Sequence, residues 1–251
     1  MTSPRNTFSE ASASYARARP RYPEPLFHWL ASQVSRKVAA WDCATGNGQA
    51  AVGIAPYFER VIATDVSAAQ IKQAAPHANV EYRVASAEAC GLPAHQTDLI
   101  VVAQALHWFA TNAFWQEVRR VAAPGAFFCA FGYAWPHVSP AIDNALVAPF
   151  RALVEPYWAE NNRLLWDGYQ PAAVGFPFAQ VGSPTFAIEM QWSVGHLVEY
   201  LMTWSAFKRS RQDAVVSAEI DALLARTTSS VGASESFAVR MPLAILAGRA
   251  S

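Results

Sequence analysis

The stretch that decides the fold reads Trp41-Asp42-Cys43-Ala44-Thr45-Gly46-Asn47-Gly48. It ends an apolar run with a carboxylate, follows it with small residues and leads into a helical pattern. Gly46 and Gly48 can adopt backbone angles that are closed to other residues, which lets a ligand approach the main chain. The amino end of the helix that follows favours an anionic group. The stretch therefore predicts a ligand-binding turn, with a tight turn of purely structural use as the alternative.

Outward from this turn, the first half of the chain alternates short β-branched runs with helical patterns. The predicted strands span residues 37–43, 60–65, 79–84, 97–103 and 126–132, and the predicted helices span 24–34, 49–58, 68–75 and 112–121. Ser67 and Thr111 are suited to cap the last two of these helices. The run Thr97–Ala103 is nearly all apolar, as expected for a strand covered on both faces. This alternation predicts βαβ units around a parallel sheet.

The second half has a different texture, because bulky aromatic residues are interrupted by prolines. Residues 134–180 are predicted to form a helical, loop-rich cover. The other predicted elements are strands at 185–192 and 237–246 and helices at 195–208 and 213–226. The two strands are expected to add to the sheet in antiparallel fashion. The aromatic residues of this half form either the core of the cover or an apolar cage for a substrate, and examples are Trp135, Trp158 and Trp166.

The composition excludes several classes of protein. The 251 residues carry 19 Lys plus Arg against 19 Asp plus Glu, so the chain lacks the positive charge on which general nucleic-acid binding depends. It shows no secretion leader and no apolar run of about 18 residues. Cys43, Cys90 and Cys129 lie far apart in apolar sequence, which predicts free thiols and a cytoplasmic protein. The histidines and cysteines show no metal-ligand spacing, so we expect no protein-held metal.

A dinucleotide site is a second interpretation of the turn. Gly46-x-Gly48-x-x-Ala51 satisfies the loose pattern G-x-G-x-x-G/A, and Asp65 ends the next predicted strand, where a carboxylate can accept from a ribose diol. Asp42 favours a different ligand, because a charge at the end of a buried strand is costly unless it is paired. A pyrophosphate brings no cation, whereas an amino group does. The turn therefore favours a ligand with an amino group, and the dinucleotide stays open.

Further segments, in order along the chain, give a resemblance to a known family. Residues 8–133 resemble the class I methyltransferases that use S-adenosylmethionine. The matching parts are the D-x-G-x-G-x-G motif read as Asp42, Ala44, Gly46 and Gly48, the acidic Asp65, and residues 85–93, 104–109 and 114–125. Residues 15–23 and the triplet His107-Trp108-Phe109 are similar to small-molecule methyltransferases related to trans-aconitate methyltransferases. Ala44 and Ser86 depart from the pattern, since the family commonly has glycine and aspartate there.

The resemblance implies an α/β fold with a Rossmann-like, doubly wound sheet. Seven mostly parallel strands, an antiparallel last strand and a helical, aromatic-rich insertion covering the site are expected. The chain would be a single methyltransferase domain with a cap at 1–35, a cofactor-binding core at 36–133, a cover at 134–180 and final strands and helices at 181–251. S-adenosylmethionine is the implied cofactor and S-adenosylhomocysteine its product.

The same resemblance implies the cofactor contacts. Asp42 would bind the amino group and Asp65 the ribose hydroxyls, with helix capping as the alternative for each. An N-terminal segment with Tyr15 and Arg19 would fold over the cofactor, where a guanidinium suits the methionine carboxylate. The adenine pocket and the remaining contacts would be formed by Ser86, Ala87, Glu88, Ala44, Gly46, Gly48 and Ala103. A solvated loop position for Glu88 and a solvated arginine face for Arg19 stay open.

His107 is the ionisable residue that follows the central predicted strand. An ordinary histidine pKa near 6.5 suits a general base at neutral pH, and a packed, hydrogen-bonded wall residue is the alternative. The expected function is methyl transfer to a small organic acceptor by in-line displacement, with no nucleic acid, membrane or obligate protein partner. An NAD(P)-binding oxidoreductase and a non-catalytic cofactor-binding protein stay open as alternatives.

Overall fold

The computed structural model describes residues 20–230 and 236–250. Within these ranges, eight strands share one sheet. The strands are β1 (Ala39–Cys43), β2 (Arg60–Asp65), β3 (Val80–Val84), β4 (Thr97–Ala103), β5 (Ala122–Tyr133), β6 (Ala179–Gln180), β7 (Ala187–Ser193) and β8 (Ser236–Arg249). The α-helices are α1 (Glu24–Ser32), α2 (Gln49–Ile54), α3 (Ala68–Lys72), α4 (Asn112–Val121), α5 (Pro140–Ile142), α6 (Ala148–Val154), α7 (Asn162–Trp166), α8 (Val194–Met202), α9 (Ser205–Ser210) and α10 (Ala214–Ser230). A π-helix, Asp143–Val147, joins α5 to α6.

The strand order places the candidate site. It runs β3-β2-β1-β4-β5-β8-β6, with β7 paired to β8. Strands β1 to β5 are parallel, and β8 is antiparallel to β5 and β6, so the predicted mostly parallel sheet with an antiparallel late strand is confirmed. The chain order reverses between β1 and β4, and ligands of open α/β sheets bind at the carboxyl ends of the strands at such a point.

Local sequence signals set several element boundaries. The Ser67 hydroxyl accepts from the Gln70 amide at 3.4 Å, and the Thr111 hydroxyl accepts from the Phe114 amide at 3.3 Å, so both predicted caps are confirmed. Strands β2 and β4 have the predicted bounds. Helix α3 ends at Lys72, earlier than predicted.

Strand β5 differs from its prediction. It begins at Ala122 and not at residue 126, because the strand bulges between its first pair and the rest of its register. Thr97 pairs with Ala122, whereas Leu99 pairs with Phe127. Gly125, with a φ of 79°, lies inside this bulge. Pro124-Gly125, which predicted a turn before the strand, instead lies in a bulge within β5.

The predicted helix at 195–208 is also wrong in its length, because it is two helices, α8 and α9. They are separated at Trp204, whose backbone is extended with φ −63° and ψ 138°. The Trp204 ring packs against those of Trp135 and Tyr200, with centroids 5.4 Å and 5.7 Å away. Burial of this ring accompanies the break in the helix.

Strand β1 is buried along its whole length and lies between two apolar layers. On one face the Trp41 ring lies 6.5 Å from that of Phe114 in α4, and its indole N–H donates to the Thr64 hydroxyl at 2.9 Å. On the other face Ala40 belongs to the same apolar cluster as Leu26 of α1. Because both faces are covered, the ends of the strands are the part of the sheet left for a ligand.

By its internal contacts, the described chain forms two compact units. One comprises residues 22–134, 161–187 and 242–250, and it contains every described candidate site residue. The other comprises residues 20–21, 135–160, 188–230 and 236–241. Within it, Trp135, Trp158 and Trp204 pack with ring centroids between 5.4 and 6.5 Å apart. Trp166, the third tryptophan named from the sequence, belongs to the first unit.

Candidate functional site

The turn after β1 holds three residues in the left-handed region, with φ of 56° at Ala44, 56° at Gly46 and 86° at Gly48. A Cβ added at Gly46 would meet no atom of the described residues within 4 Å, whereas one at Gly48 would collide with the Tyr82 hydroxyl. Among these residues Gly46 therefore leaves open space over the main chain, and Gly48 is favoured by its positive φ and by the nearby Tyr82 ring. Ala44, where the family pattern has glycine, carries a side chain in a strained conformation.

Asp42 is a fully buried carboxylate near the end of β1. The Thr45 hydroxyl donates to Oδ2 at 2.5 Å, whereas the buried Oδ1 accepts no hydrogen bond from the described residues. Burial raises the pKa of Asp42 to about 7, against the smaller opposing effects of the Thr45 hydroxyl and the nearby Ala51 amide, which makes no hydrogen bond of good geometry with Oδ1. A buried carboxylate oxygen without a donor is costly. A donor or cation bound at the turn would relieve that cost.

Asp65 ends β2 beside the same turn. Its Oδ2 accepts from the Gly46 amide at 2.9 Å, and its Oδ1 accepts from the Ser67 amide at 2.8 Å. The contact to Ser67 is the helix-start role that the sequence left as an alternative. Each carboxylate oxygen keeps a further lone pair, so Asp65 can hold the turn and still accept from a ligand.

The segment after β3 lies beside Asp65, because the Ala85 amide donates to the Asp65 carbonyl at 3.1 Å. Ser86 and Ala87 are half-buried, whereas Glu88 is exposed. The Ser86 carbonyl accepts from the main chain of Ala89, which closes a short turn. The structure therefore brings Ser86 and Ala87 to the edge of the site and places the Glu88 carboxylate in solvent.

Two exposed apolar side chains at this edge were missed by the sequence reasoning. Val66, directly after Asp65, is 77% exposed, and Val84, the register partner of Asp65 on β3, is 58% exposed. An apolar surface beside a hydrogen-bonding carboxylate suits a ligand that carries both a flat ring and hydroxyl groups. The sequence signal that could have indicated this surface is Val66, an apolar residue directly after Asp65 at the end of a predicted strand.

Buried Cys90 and Glu117, together with the exposed Arg120, anchor the loop after β3 to helix α4. Glu117 Oε1 accepts from the Cys90 amide at 2.9 Å and from its thiol at 3.0 Å. Arg120 chelates the same carboxylate at 2.6 Å and 2.7 Å, and this guanidinium lowers the pKa of Glu117 to about 2. The cluster fixes the position of the segment that contains Ser86 and Ala87.

Gln104 joins the ends of β4 and β5. Its side-chain amide donates to the Tyr133 carbonyl at 2.7 Å, and its side-chain oxygen accepts from the Tyr133 amide at 2.8 Å. The residue has a φ of 58°, which a glutamine rarely adopts. Ala103, the preceding residue, is half-buried at this end of the sheet. The paired amides hold the main chain after β4 in place.

His107 lies in a short 3-10 helix, Leu106–Trp108, that follows β4. The side chain is buried, with Nδ1 3.0 Å from the Tyr169 hydroxyl. The His107 carbonyl accepts from the Asn161 side chain at 2.9 Å. Burial lowers the pKa of His107 to about 4. Tyr169 and Asn161 carried no signal in the sequence, since neither belongs to a motif near His107.

A cavity of about 710 Å³ opens at the amino end of β5, away from these residues. None of the candidate site residues lines it; its lining includes His95, Arg119, Phe178 and Arg249. The site at the carboxyl ends of the strands is therefore assigned from its hydrogen bonds and burial and not from this cavity.

Two expected contacts, Tyr15 and Arg19, lie outside the described residues. Among residues 20–230 and 236–250, no group of three or more His, Cys, Asp or Glu side chains is placed to hold a metal ion. In the same ranges no helix combines the length and apolar character that crossing a membrane requires.

Comparison with known proteins identifies the family. Residues 41–130, which contain the turn, Asp65 and His107, match the family model described as a methyltransferase domain. A methyltransferase of Dictyostelium discoideum is 31% identical over 218 residues, which cover 82% of this chain and 82% of that protein. The chain belongs to the class I S-adenosylmethionine-dependent methyltransferases.

Other relatives agree with this assignment. A structure described as a type II methyltransferase, from Anaeromyxobacter dehalogenans, is similar to this methyltransferase with a TM-score of 0.83 and 39% identity, over 92% of this chain and 98% of that chain. A Saccharomyces cerevisiae protein described as an S-adenosylmethionine-dependent methyltransferase is 25% identical over 134 residues, 50% of this chain and 46% of that protein.

Proposed function

We propose that this methyltransferase transfers the methyl group of S-adenosylmethionine to a small organic acceptor, with the cofactor bound across the ends of β1 and β2. One observation carries the proposal: a single turn combines a buried Asp42 oxygen that lacks a donor with an open main chain at Gly46. The amino group of the cofactor can donate to the Asp42 oxygen, and its compact methionine moiety can lie over the main chain at Gly46. The residues present therefore fit the cofactor.

Each element of the turn has a task in this proposal. Asp42 receives the amino group, directly or through water, which supplies the hydrogen bond that Oδ1 lacks. Asp65 accepts from the ribose hydroxyls with the lone pairs that the Gly46 and Ser67 amides leave over. Val66 and Val84 offer an apolar surface to the adenine ring.

The cofactor supplies a methyl group that is already activated on a sulfonium. The chain must then align the acceptor with that group and exclude water from the two. Ala103, the last residue of β4, and His107, which follows the strand, lie at the same end of the sheet as Asp42. They are therefore the described residues best placed to meet an acceptor.

The dinucleotide alternative is tested by thermal unfolding with S-adenosylhomocysteine or NADH. A ligand that binds the folded state raises the unfolding temperature, so S-adenosylhomocysteine should raise it and NADH should not. Asp42 favours this outcome, since the pyrophosphate of NADH brings no cation to a buried carboxylate. An unfolding temperature raised by NADH and not by S-adenosylhomocysteine would favour the oxidoreductase alternative.

Catalysis is tested by transfer of a labelled methyl group from the cofactor into a fractionated cell extract. The expected result is a labelled small molecule, which then identifies the acceptor. The Gly46→Val variant, expected not to bind cofactor, is the control for labelling by contaminants. Cofactor binding without labelled product in any fraction would favour the non-catalytic alternative.

We also propose a reducing, cytoplasmic compartment. Cys43, Cys90 and Cys129 are buried free thiols, and proteins of oxidising compartments tend to pair their cysteines. Titration of thiols in protein taken directly from cells should find all of these cysteines reduced.

A further inference from the structure

His107 and Tyr169 form a buried pair whose proton position can be worked out. Their side chains are nearly sealed, with 6% and 1% of the residues exposed. The rings are close to parallel, with a 20° angle and centroids 6.2 Å apart. Nδ1 lies 3.0 Å from the phenolic oxygen, so one proton is shared between these two atoms.

The Tyr169 hydroxyl decides which atom carries that proton. Among the described residues, His107 Nδ1 is its hydrogen-bond partner, and burial raises the pKa of Tyr169 well above its usual range, so the phenol keeps its proton. Tyr169 is then left to donate its own hydroxyl proton, and Nδ1 of His107 is the acceptor within reach. A neutral imidazole that accepts at Nδ1 carries its proton at Nε2.

Nε2 is the nitrogen that a ligand can reach. Within the described residues, Nε2 makes no hydrogen bond. It is also absent from the buried polar atoms that lack a partner there, so Nε2 is accessible to solvent. Trp108, the next residue, is 59% exposed, and its ring centroid lies 5.0 Å from that of His107. A fixed N–H donor therefore lies beside an exposed aromatic face.

We infer that His107 and Trp108 form the subsite for the methyl acceptor, with Tyr169 as the positioning residue that holds the His107 proton on Nε2. The chemistry of this pair selects a molecule with a flat apolar part and an oxygen that accepts a hydrogen bond, a carboxylate or a carbonyl. In this role His107 is a hydrogen-bond donor and not the proton acceptor that the sequence suggested. The inference rests on the proposed function, because it assigns the ligand of this subsite as the acceptor.

The proton position is measured by long-range ¹H–¹⁵N spectra of the imidazole rings at neutral pH. His107 should show one tautomer, with a protonated Nε2 and an unprotonated Nδ1. In Tyr169→Phe the donor is lost, so a mixture of tautomers should appear. His28, which is exposed and has no ring hydrogen bond among the described residues, is the internal reference for a mixture. A proton on Nδ1 in the parent protein would overturn the inference.

The ligand class is measured by titrating the S-adenosylhomocysteine complex with phenylacetate and, as the matched probe without an accepting oxygen, phenethylamine. Phenylacetate should shift the His107 Nε2–H signal in a saturable way, and phenethylamine should not. His107→Leu should weaken phenylacetate about 10-fold or more, the loss of a hydrogen bond to a charged group, whereas His107→Gln, which keeps an N–H donor, should weaken it less. Trp108→Ala should also weaken it.

If the His107 Nε2–H signal shifts equally with both probes, or does not shift with phenylacetate, the assignment of His107 and Trp108 as the acceptor subsite is wrong. Neither result bears on the cofactor site. Loss of S-adenosylhomocysteine binding would instead remove the proposed function while leaving the tautomer of His107 as measured. The two failures are therefore distinguishable in the same set of samples.

Discussion

At the ends of β1 and β2, main-chain amides and short side chains make the contacts, as when Asp65 accepts from the Gly46 and Ser67 amides. At the end of β4, by contrast, the contacts to His107 come from side chains far along the chain. Tyr169 is 62 residues away and Asn161 is 54 residues away. The first region is specified by local backbone geometry and the second by tertiary packing. Substitutions should therefore act on cofactor binding in the first region and on stability, proton position and acceptor binding in the second.

The largest effect is expected at Gly46. Valine there has a β-branched side chain at a φ of 56° and fills the open space over the turn. Gly46→Val should abolish S-adenosylhomocysteine binding by calorimetry while the circular dichroism spectrum stays that of a folded protein. Gly182→Val, also with open space around its Cβ, is the control. Normal binding by Gly46→Val would make the turn structural only.

His107→Ala tests the second region. It leaves the buried Tyr169 hydroxyl without its acceptor, so the free energy of unfolding should fall by about 1 to 3 kcal/mol. Cofactor affinity should not change. His28→Ala, at an exposed position of α1, is the control. A rate lower by about 10² to 10⁴ when cofactor and acceptor are both saturating would instead assign His107 a role in proton transfer.

The two regions should also respond to pH with opposite sign. The pKa of Asp42 rises from 3.8 to about 7 on folding, so the folded state holds a proton that the unfolded state releases, and this contribution to stability falls as pH rises through that window. The pKa of His107 falls from 6.5 to about 4, so its contribution rises with pH between those values.

Denaturant unfolding between pH 4 and pH 7 separates these contributions. Asp42→Asn should make stability increase more steeply with pH than in the parent protein, and His107→Gln should make it increase less steeply. If the free energy of unfolding changes with pH in the same way in the parent protein and both variants, burial of Asp42 and His107 does not shift their pKa values as described. The contribution of Glu117, whose pKa is lowered from 4.5 to about 2 by Arg120, changes with pH mainly below this window and is nearly constant within it.

The smallest effect is expected at Ala44. Its φ of 56° is unfavourable for a side chain, and glycine removes the strain. Ala44→Gly should raise the free energy of unfolding by about 1 kcal/mol or less. Ala74→Gly, outside the turn, should not stabilise the protein. Destabilisation by Ala44→Gly would show that the alanine side chain contributes packing that outweighs its strain.

The same contrast explains what the sequence could predict. β2 and β4 had the predicted bounds because apolar runs ended by a carboxylate or a turn are local signals. The caps Ser67 and Thr111 act within three residues. The Asp42–Gly48 turn and Asp65 were also readable, because a parallel sheet brings the ends of neighbouring strands together.

The rest depends on contacts that no short pattern encodes. Glu117 holds the Cys90 amide across 27 residues, and Tyr169 holds His107 across a longer separation. The helix predicted at 195–208 breaks at Trp204, whose ring is buried among other aromatics. Propensity favours a continuous helix there, and packing overrides it.

The central claim is that the cofactor lies across the turn with its ribose on Asp65, and calorimetry with S-adenosylhomocysteine tests it most directly. Asp65→Ala should weaken binding by about 1 to 3 kcal/mol, because the ribose hydroxyls lose a charged acceptor. Asp167→Ala, at an exposed position in the same unit, should bind like the parent protein. Equal affinity of the parent protein and Asp65→Ala, with both folded, would contradict the account.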